Sequence, residues 1–181
     1  MVTPDQRLEA MRHTRQYREF EPRPVDRAEL DALVDVARWS GSSQNTQPWR
    51  FIVIHDPATI RTIHELGLPS TRGLATAPAA IAIAVPKDDK KAVSIAYDEG
   101  RATERILVAA QLLDLGAGIS WMVLRIRDEV GRILGLPEDR VVRTIVQVGH
   151  PTAAARKPKS APGQARLPRQ QVVFEERWPC E

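Results

Sequence analysis

Cysteine is almost missing from this 181-residue chain. Cys180, second from the end, is the single one. An intrachain disulfide is therefore impossible, and a Cys-based metal site cannot be built. No apolar run approaches the ~20 residues that a membrane helix needs. The N-terminal stretch MVTPDQRLEAMRHTRQYREF carries acids and lacks an apolar core, so it does not read as a signal peptide; a cytoplasmic location is the expectation. Glycine-rich phosphate cradles are absent too: no G-x-G-x-x-G follows a strand, and no G-x-x-x-x-G-K-[ST] occurs. His13, His55, His64 and His150 are scattered, and none stands in a G-x-S-x-G context. Hydrolase and metalloenzyme readings have nothing to rest on.

What is present suits one folded domain. Hydrophobic residues make up 43% and charged residues 27%, ordinary values for a globular chain. Net charge is +3, but unevenly spread. Residues 151–170 hold Arg156, Lys157, Lys159, Arg166 and Arg169 and no acid. Taken alone, that segment reads as a solvated basic tail, a nucleic-acid contact or a clamp for a phosphorylated ligand.

Periodicity predicts a helix over residues 3–13, begun by Thr3, Pro4 and Gln6 in capping-box spacing. Pro22 and Pro24 enforce an extended link. Asp26 caps a second helix with Leu30, Leu33, Val34 and Ala37 at helical spacing. Residues 49–54 and 79–85 read as buried strands, separated by a short helix that ends near Gly67. A long helix is expected over 95–115, closed by Gly116. A strand over 118–124, a helix over 127–134 and a strand over 141–148 follow. After Gly149 the core pattern stops. It recovers in QVVF, residues 171–174, which reads as a strand added to a partner's sheet. The core is therefore placed at residues 1–150 and a C-terminal arm at 151–181.

Two segments carry chemistry. In TRQYREF, Arg15, Gln16 and Arg18 put two guanidinium groups and an amide in one short turn, able to hold a phosphate and reach a ring carbonyl. In SGSSQNTQPWRF, Ser42, Ser43, Asn45 and Gln47 set neutral hydrogen-bonding groups before an apolar strand, as a polar planar ring would require. The bland alternative in each case is a solvated surface loop.

Together these segments resemble the nitroreductase family. The run Ser42, Ser43, Asn45, Gln47, Pro48, Trp49, Arg50, Phe51 matches a family motif in full. Ala77-Pro78, LLDLGAGISWM (112–122) and GQARLPRQQVVFEERW (163–178) are similar to later motifs, in order, over nearly the whole chain. The resemblance implies an α+β fold, with a mixed or antiparallel sheet flanked by helices, in an intertwined homodimer whose C-terminal strand is swapped. It implies two FMN sites at the dimer interface. Arg15, Gln16, Arg18 and Arg166 would hold the phosphate, ribityl chain and pyrimidine edge, with Lys157 and Lys159 also in reach. Ser42, Ser43 and Asn45 would come from the partner subunit. Ser70, Thr71 and Arg72 would face the pyrimidine. The backbone of Met122, Val123 and Leu124 would lie near the flavin N5, with Trp121 behind. The chain departs from the pattern at Thr14, Gln16, Gly41 and Gly73, where arginine, serine, proline and lysine are usual. Gly73 leaves Arg72 as the substitute cation. The implied activity is ping-pong hydride transfer from NADH or NADPH through the flavin to nitroaromatic, quinone or similar acceptors, with no catalytic side chain. Ene reduction, flavin breakdown, dehalogenation and flavin binding with little turnover stay open, as does a deazaflavin in place of FMN.

Overall fold

The computed structural model describes residues 3–160 and 165–178. Gly163 and Cys180, singled out above, lie outside them. The elements are α1 (Pro4–Arg12), α2 (Arg27–Arg38), β1 (Arg50–Ile54), α3 (Pro57–Leu66), β2 (Ala79–Pro86), α4 (Ala92–Leu112), β3 (Gly116–Trp121), α5 (Arg127–Ile133), β4 (Arg140–Gly149) and α6 (Ala153–Arg156).

The four strands form one sheet in the order β1-β2-β4-β3, and every pair is antiparallel. Side chains of β2 alternate between its faces, as the pleat demands. Ile81, Ile83 and Val85 enter one core with Leu30 and Leu33 of α2 and Ala102 and Ile106 of α4. Ala80, Ala82 and Ala84 enter a second core with Ile60 and Ile63 of α3 and Val130 of α5. Both faces are thus covered, which explains the uninterrupted apolar run. It is antiparallel here, where such runs more often signal parallel strands. The outer edge of β3 is covered by the N-terminal segment: Gln16 bridges Ala117, and the Tyr17 amide donates to the Ala117 carbonyl at 2.8 Å.

The capping expectations hold. Thr3 and Gln6 exchange reciprocal bonds at 3.3 and 2.9 Å, and the Glu29 carboxylate accepts from the Asp26 amide at 3.0 Å. The long helix differs: α4 starts at Ala92 and ends at Leu112. Asp114, not Gly116, takes the left-handed residue, at φ 57°. The Leu115 amide reaches back to the Ala110 carbonyl at 2.9 Å, and the Asp114 amide to Gln111 at 3.3 Å. That is a Schellman ending, and aspartate tolerates the conformation better than most non-glycine residues. Gly116 and Ala117 are thereby released into β3, where they pair with Gly149 and Val148.

The tail also differs. Thr152 caps the short α6, and residues 169–171 form a 3-10 turn where a strand is expected. The amides of Val172 and Val173 donate back to the Arg169 carbonyl at 3.1 and 2.9 Å. A local turn therefore takes the bonds that a strand would offer a neighbouring sheet.

Candidate functional site

The extended segment after α1 sorts its side chains to two sides. Arg15 and Tyr17 share one: the Arg15 Nε donates to the Tyr17 hydroxyl at 3.1 Å. The Arg15 guanidinium also donates to the carbonyls of Ala155, Arg156 and Lys157 at the end of α6. Arg15 thus ties the start of the tail to the N-terminal segment. Gln16 and Arg18 share the other side. The Gln16 Oε1 accepts from the Ile119 amide at 3.1 Å and from Arg18 at 3.3 Å.

This tie closes a cavity of about 430 Å³. Arg12, His13, Arg15 and Gln16 line one side; Lys159, Ser160 and Arg166 line the other. No carboxylate is among its described lining residues. Arg12 is partly neutralised by Asp5 and Glu9, at 3.3 and 3.1 Å. Glu9 also meets His13 at 2.6 Å, and that contact, with Arg12, holds the Glu9 carboxyl below its usual value. The chain's two ends, 150 residues apart, thus converge on one cationic pocket, and Arg15, Gln16 and Arg166 are brought together there.

Along β3 a second group gathers. Gln147, fully buried in β4, donates to the Tyr17 carbonyl at 3.2 Å and accepts from the Ser120 hydroxyl at 2.9 Å. A Cβ on Gly118 would overlap the Tyr17 carbonyl oxygen, and one on Gly73 would overlap the Gln147 amide. Only glycine lets the Gly118 and Tyr17 backbones approach so closely, and Gly73 leaves room for the Gln147 side chain. A lysine at position 73 would displace Gln147, so charge at this turn comes from the exposed Arg72. Thr71 beside it is fully buried, its hydroxyl bound to the His64 carbonyl at 2.6 Å. Its side chain secures the turn, leaving Ser70 and Arg72 more open.

Past β3, Met122 is buried. Its amide donates to the Arg143 carbonyl at 2.8 Å and its carbonyl accepts from the Arg127 Nε at 2.9 Å. The next two amides, of Val123 and Leu124, have no backbone acceptor among the described residues. Trp121 and Leu124 are 48% and 78% exposed, large apolar surface at the sheet's end.

The Ser42–Gln47 loop lies elsewhere. It leads into β1, the opposite edge strand from β3. The Ser43 amide donates to the buried Asp98 carboxylate of α4 at 3.1 Å. The Ser42 hydroxyl accepts from the Gln47 amide at 2.9 Å, and the Asn45 Oδ1 accepts from the Gln47 side chain at 3.1 Å. Gln44, Asn45 and Gln47 hold φ of 52°, 55° and 47°. Such values cost free energy for non-glycine residues, and Asp98 helps to hold them. Within one chain the structure therefore does not bring Ser42, Ser43 and Asn45 to Arg15, Gln16 and Arg18.

Asp98, Glu99, Arg143 and Gln147 escape a reading for chemistry. The signal is in the periodicity: Asp98 lies four residues before Ala102 on the buried stripe of α4, and Glu99 lies four after Ile95. A carboxylate at such a position needs a partner. Arg143 supplies it, at 2.7 Å from Glu99.

Among the described residues no helix is long and apolar enough to cross a membrane, and no group of three or more His, Cys, Asp or Glu could hold a metal ion. Residues 11–71 match the family model for the nitroreductase family. A protein of Archaeoglobus fulgidus, provisionally named NADH dehydrogenase/NAD(P)H nitroreductase, is 32% identical over 143 residues, covering 76% of this chain and 80% of its own length. A crystal structure from Parabacteroides distasonis with the same provisional name is 26% identical, with TM-score 0.81, over 96% of this chain and 99% of that one. The structure of an FMN-dependent nitroreductase from Clostridium difficile shares the fold, at TM-score 0.79 and 23% identity over 92% and 98% of the two chains.

Proposed function

We propose, since this chain belongs to the nitroreductase family, that it is a flavin-dependent oxidoreductase that takes reducing equivalents from NADH or NADPH and passes them to a small oxidised acceptor. One observation carries the reading. The two ends of the chain close a cationic cavity of about 430 Å³ lined by Arg12, Arg15, Gln16, Lys159 and Arg166, with no described carboxylate facing it. That donor set suits the phosphate end of FMN.

Arg166 and Lys159 would hold the phosphate, and Arg15 would hold the tail in place around it through its bonds to residues 155–157. Gln16 and Arg18, on the opposite side of their segment, would meet the ribityl chain and the pyrimidine edge. Ser70 and Arg72 would complete that edge, Arg72 adding positive charge. The amides of Val123 and Leu124 would face the reacting ring, with Trp121 beside them. FMN, when bound, supplies the redox chemistry itself. The protein's part is to grip, orient and polarise.

Ser42, Ser43 and Asn45 belong to the same scheme through a second copy of the chain. Their loop sits at the β1 edge and the Arg15–Arg18 segment at the β3 edge, so one chain carries two half-sites that face apart. An apolar groove of about 780 Å³ between α1, α2 and α4, lined by Met11, Val36, Val108 and Leu112 among others, supplies a surface for the partner. Exposed apolar area of this kind is unusual on a monomer.

The test is spectroscopic. Purified protein should carry a yellow chromophore, and the mass of the molecule released on heating distinguishes FMN from a deazaflavin. Anaerobic addition of NADH or NADPH should bleach it, and a quinone or nitroaromatic should restore the colour. Colourless protein that takes up no added FMN would overturn the proposal.

A further inference from the structure

Where the ends of β2 and β4 meet the start of α4, the chain leaves a cavity of about 440 Å³. Leu124, Val141, Ala92 and Pro86 give it apolar walls; Lys87, Arg127 and Arg143 bring cations to it, and Asp88, Asp89 and Asp128 bring carboxylates. The volume is that of a small-molecule site. Leu124 brings the end of the Trp121–Leu124 turn to the cavity, and the Arg127 guanidinium lies over the Trp121 ring at 5.5 Å.

The buried charges around it are paired, and the half-buried Arg127 is not. Glu99 is committed to Arg143, at 2.9 and 2.7 Å. Asp128 faces Lys87 at 3.7 Å, and Asp88 caps the amides of Lys90 and Lys91 at 3.0 and 3.3 Å. Asp89 is exposed to solvent. Arg127 is left with a backbone carbonyl and an aromatic face, and no carboxylate is within ion-pair distance of it among the described residues. Burial, then repulsion from Arg143, pull its pKa down, and Glu99 only partly offsets them. A partly desolvated guanidinium without a counter-ion, facing a cavity, is a site that an anion would stabilise.

We propose that this cavity is a subsite for the acidic group of the oxidised acceptor, so that the preferred acceptor is a planar aromatic acid, its ring near Trp121 and Leu124 and its anion on Arg127. The proposal rests on the reading that the Trp121–Leu124 turn borders the reacting ring.

Two readouts test it on the purified holoprotein. The first compares para-nitrobenzoate with its neutral near-isostere para-nitrobenzamide as acceptors. The acid should be favoured in kcat/KM by roughly tenfold, the scale of one charge-assisted hydrogen bond. Arg127→Gln should abolish that preference, and Arg127→Lys should keep most of it. The second is equilibrium binding of benzoate by calorimetry, which needs no turnover. Benzoate should bind at least about tenfold more tightly than benzamide, and Arg127→Gln should erase the difference. Should Arg127→Gln fail to fold, Lys87→Gln at the rim should still lower the acid preference, by roughly threefold. Equal kcat/KM for the two acceptors in the wild type overturns the proposal, as does benzoate binding that Arg127→Gln leaves intact. A variant that shifts only the NADPH-to-NADH ratio overturns it too, assigning the cations to the nucleotide's phosphate. Absence of turnover with either acceptor, while benzoate still binds through Arg127, would instead count against the proposed function.

Discussion

At the scale of single residues, two arginines with the same chemistry stand in opposite surroundings. Arg143 is 16% exposed at its side chain and bonded to the buried Glu99. Replacing it by methionine strands that carboxylate, which should cost about 3–5 kcal/mol by urea denaturation. Removing both charges, as Glu99→Leu with Arg143→Met, should cost less than the single change, because no uncompensated charge is left inside. Arg166 is exposed, its guanidinium donating to its neighbour's carbonyl at 2.7 Å. Arg166→Ala should leave the melting temperature of cofactor-free protein nearly unchanged and weaken FMN binding by about 1.5–3 kcal/mol, measured by fluorescence titration. Chain order alone does not separate these roles. Arg143 stands in an ordinary strand and Arg166 in a basic tail, and only burial tells them apart.

At the scale of elements, local chemistry governs the ends of helices. The Asp56 carboxylate caps α3, accepting from the Thr59 hydroxyl at 2.6 Å and amide at 2.9 Å and from the Ala58 amide at 3.4 Å. The Thr59 side-chain bond, first, and those amides hold its pKa below the usual carboxylate value. The sign follows from linkage: with the folded pKa depressed, the cap's contribution is complete above the ordinary carboxylate range and is lost as pH falls through the lowered folded value. Protection of the α3 amides, taken relative to their intrinsic exchange rates, should fall over that acidic window, and Asp56→Asn should remove most of that pH dependence. The caps at Thr3 and Asp26 and the strands β1, β2 and β4 were legible in the sequence, since each depends on neighbours within a few residues; β3 runs from Gly116 to Trp121 rather than over 118–124. The end of α4 was not. Gly116 was the expected stop, and Asp114 took the position because its short polar side chain tolerates the left-handed region.

At the scale of the whole molecule, the Ser42–Gln47 loop and the Arg15–Arg18 segment lie at opposite edges of one sheet, so the proposed site calls for a second copy of the chain. The groove lined by Met11, Val36, Val108 and Leu112 lies on the α1, α2 and α4 side of the fold, and Trp39, at 68% exposure, extends the apolar surface beyond it. Val36→Glu, placed on an exposed position of α2, should leave the fold intact by circular dichroism. It should convert a dimer to a monomer by sedimentation and release FMN in parallel. A monomer that keeps its flavin would separate the cofactor site from the interface.

Residue order by itself determined the alternation of helices and strands, the helix caps, the neutral polar loop ahead of β1 and the two basic segments at the chain's ends. Each is a pattern of short range, readable because periodicity and capping act between near neighbours. Only the tertiary structure decided that residues 12–16 meet Lys159, Ser160 and Arg166 at one cavity, that Arg15 ties the tail down and that Thr71 is an internal strut. The same is true of the turn at residues 169–172, where a strand was expected, and of Arg127, which faces a cavity without a counter-ion. The closing of the two segments rests on contacts about 140 residues apart in the chain, while Thr71, the tail turn and Arg127 bond to near neighbours, and what decides their roles is which side chains burial encloses and which charges it leaves unmatched.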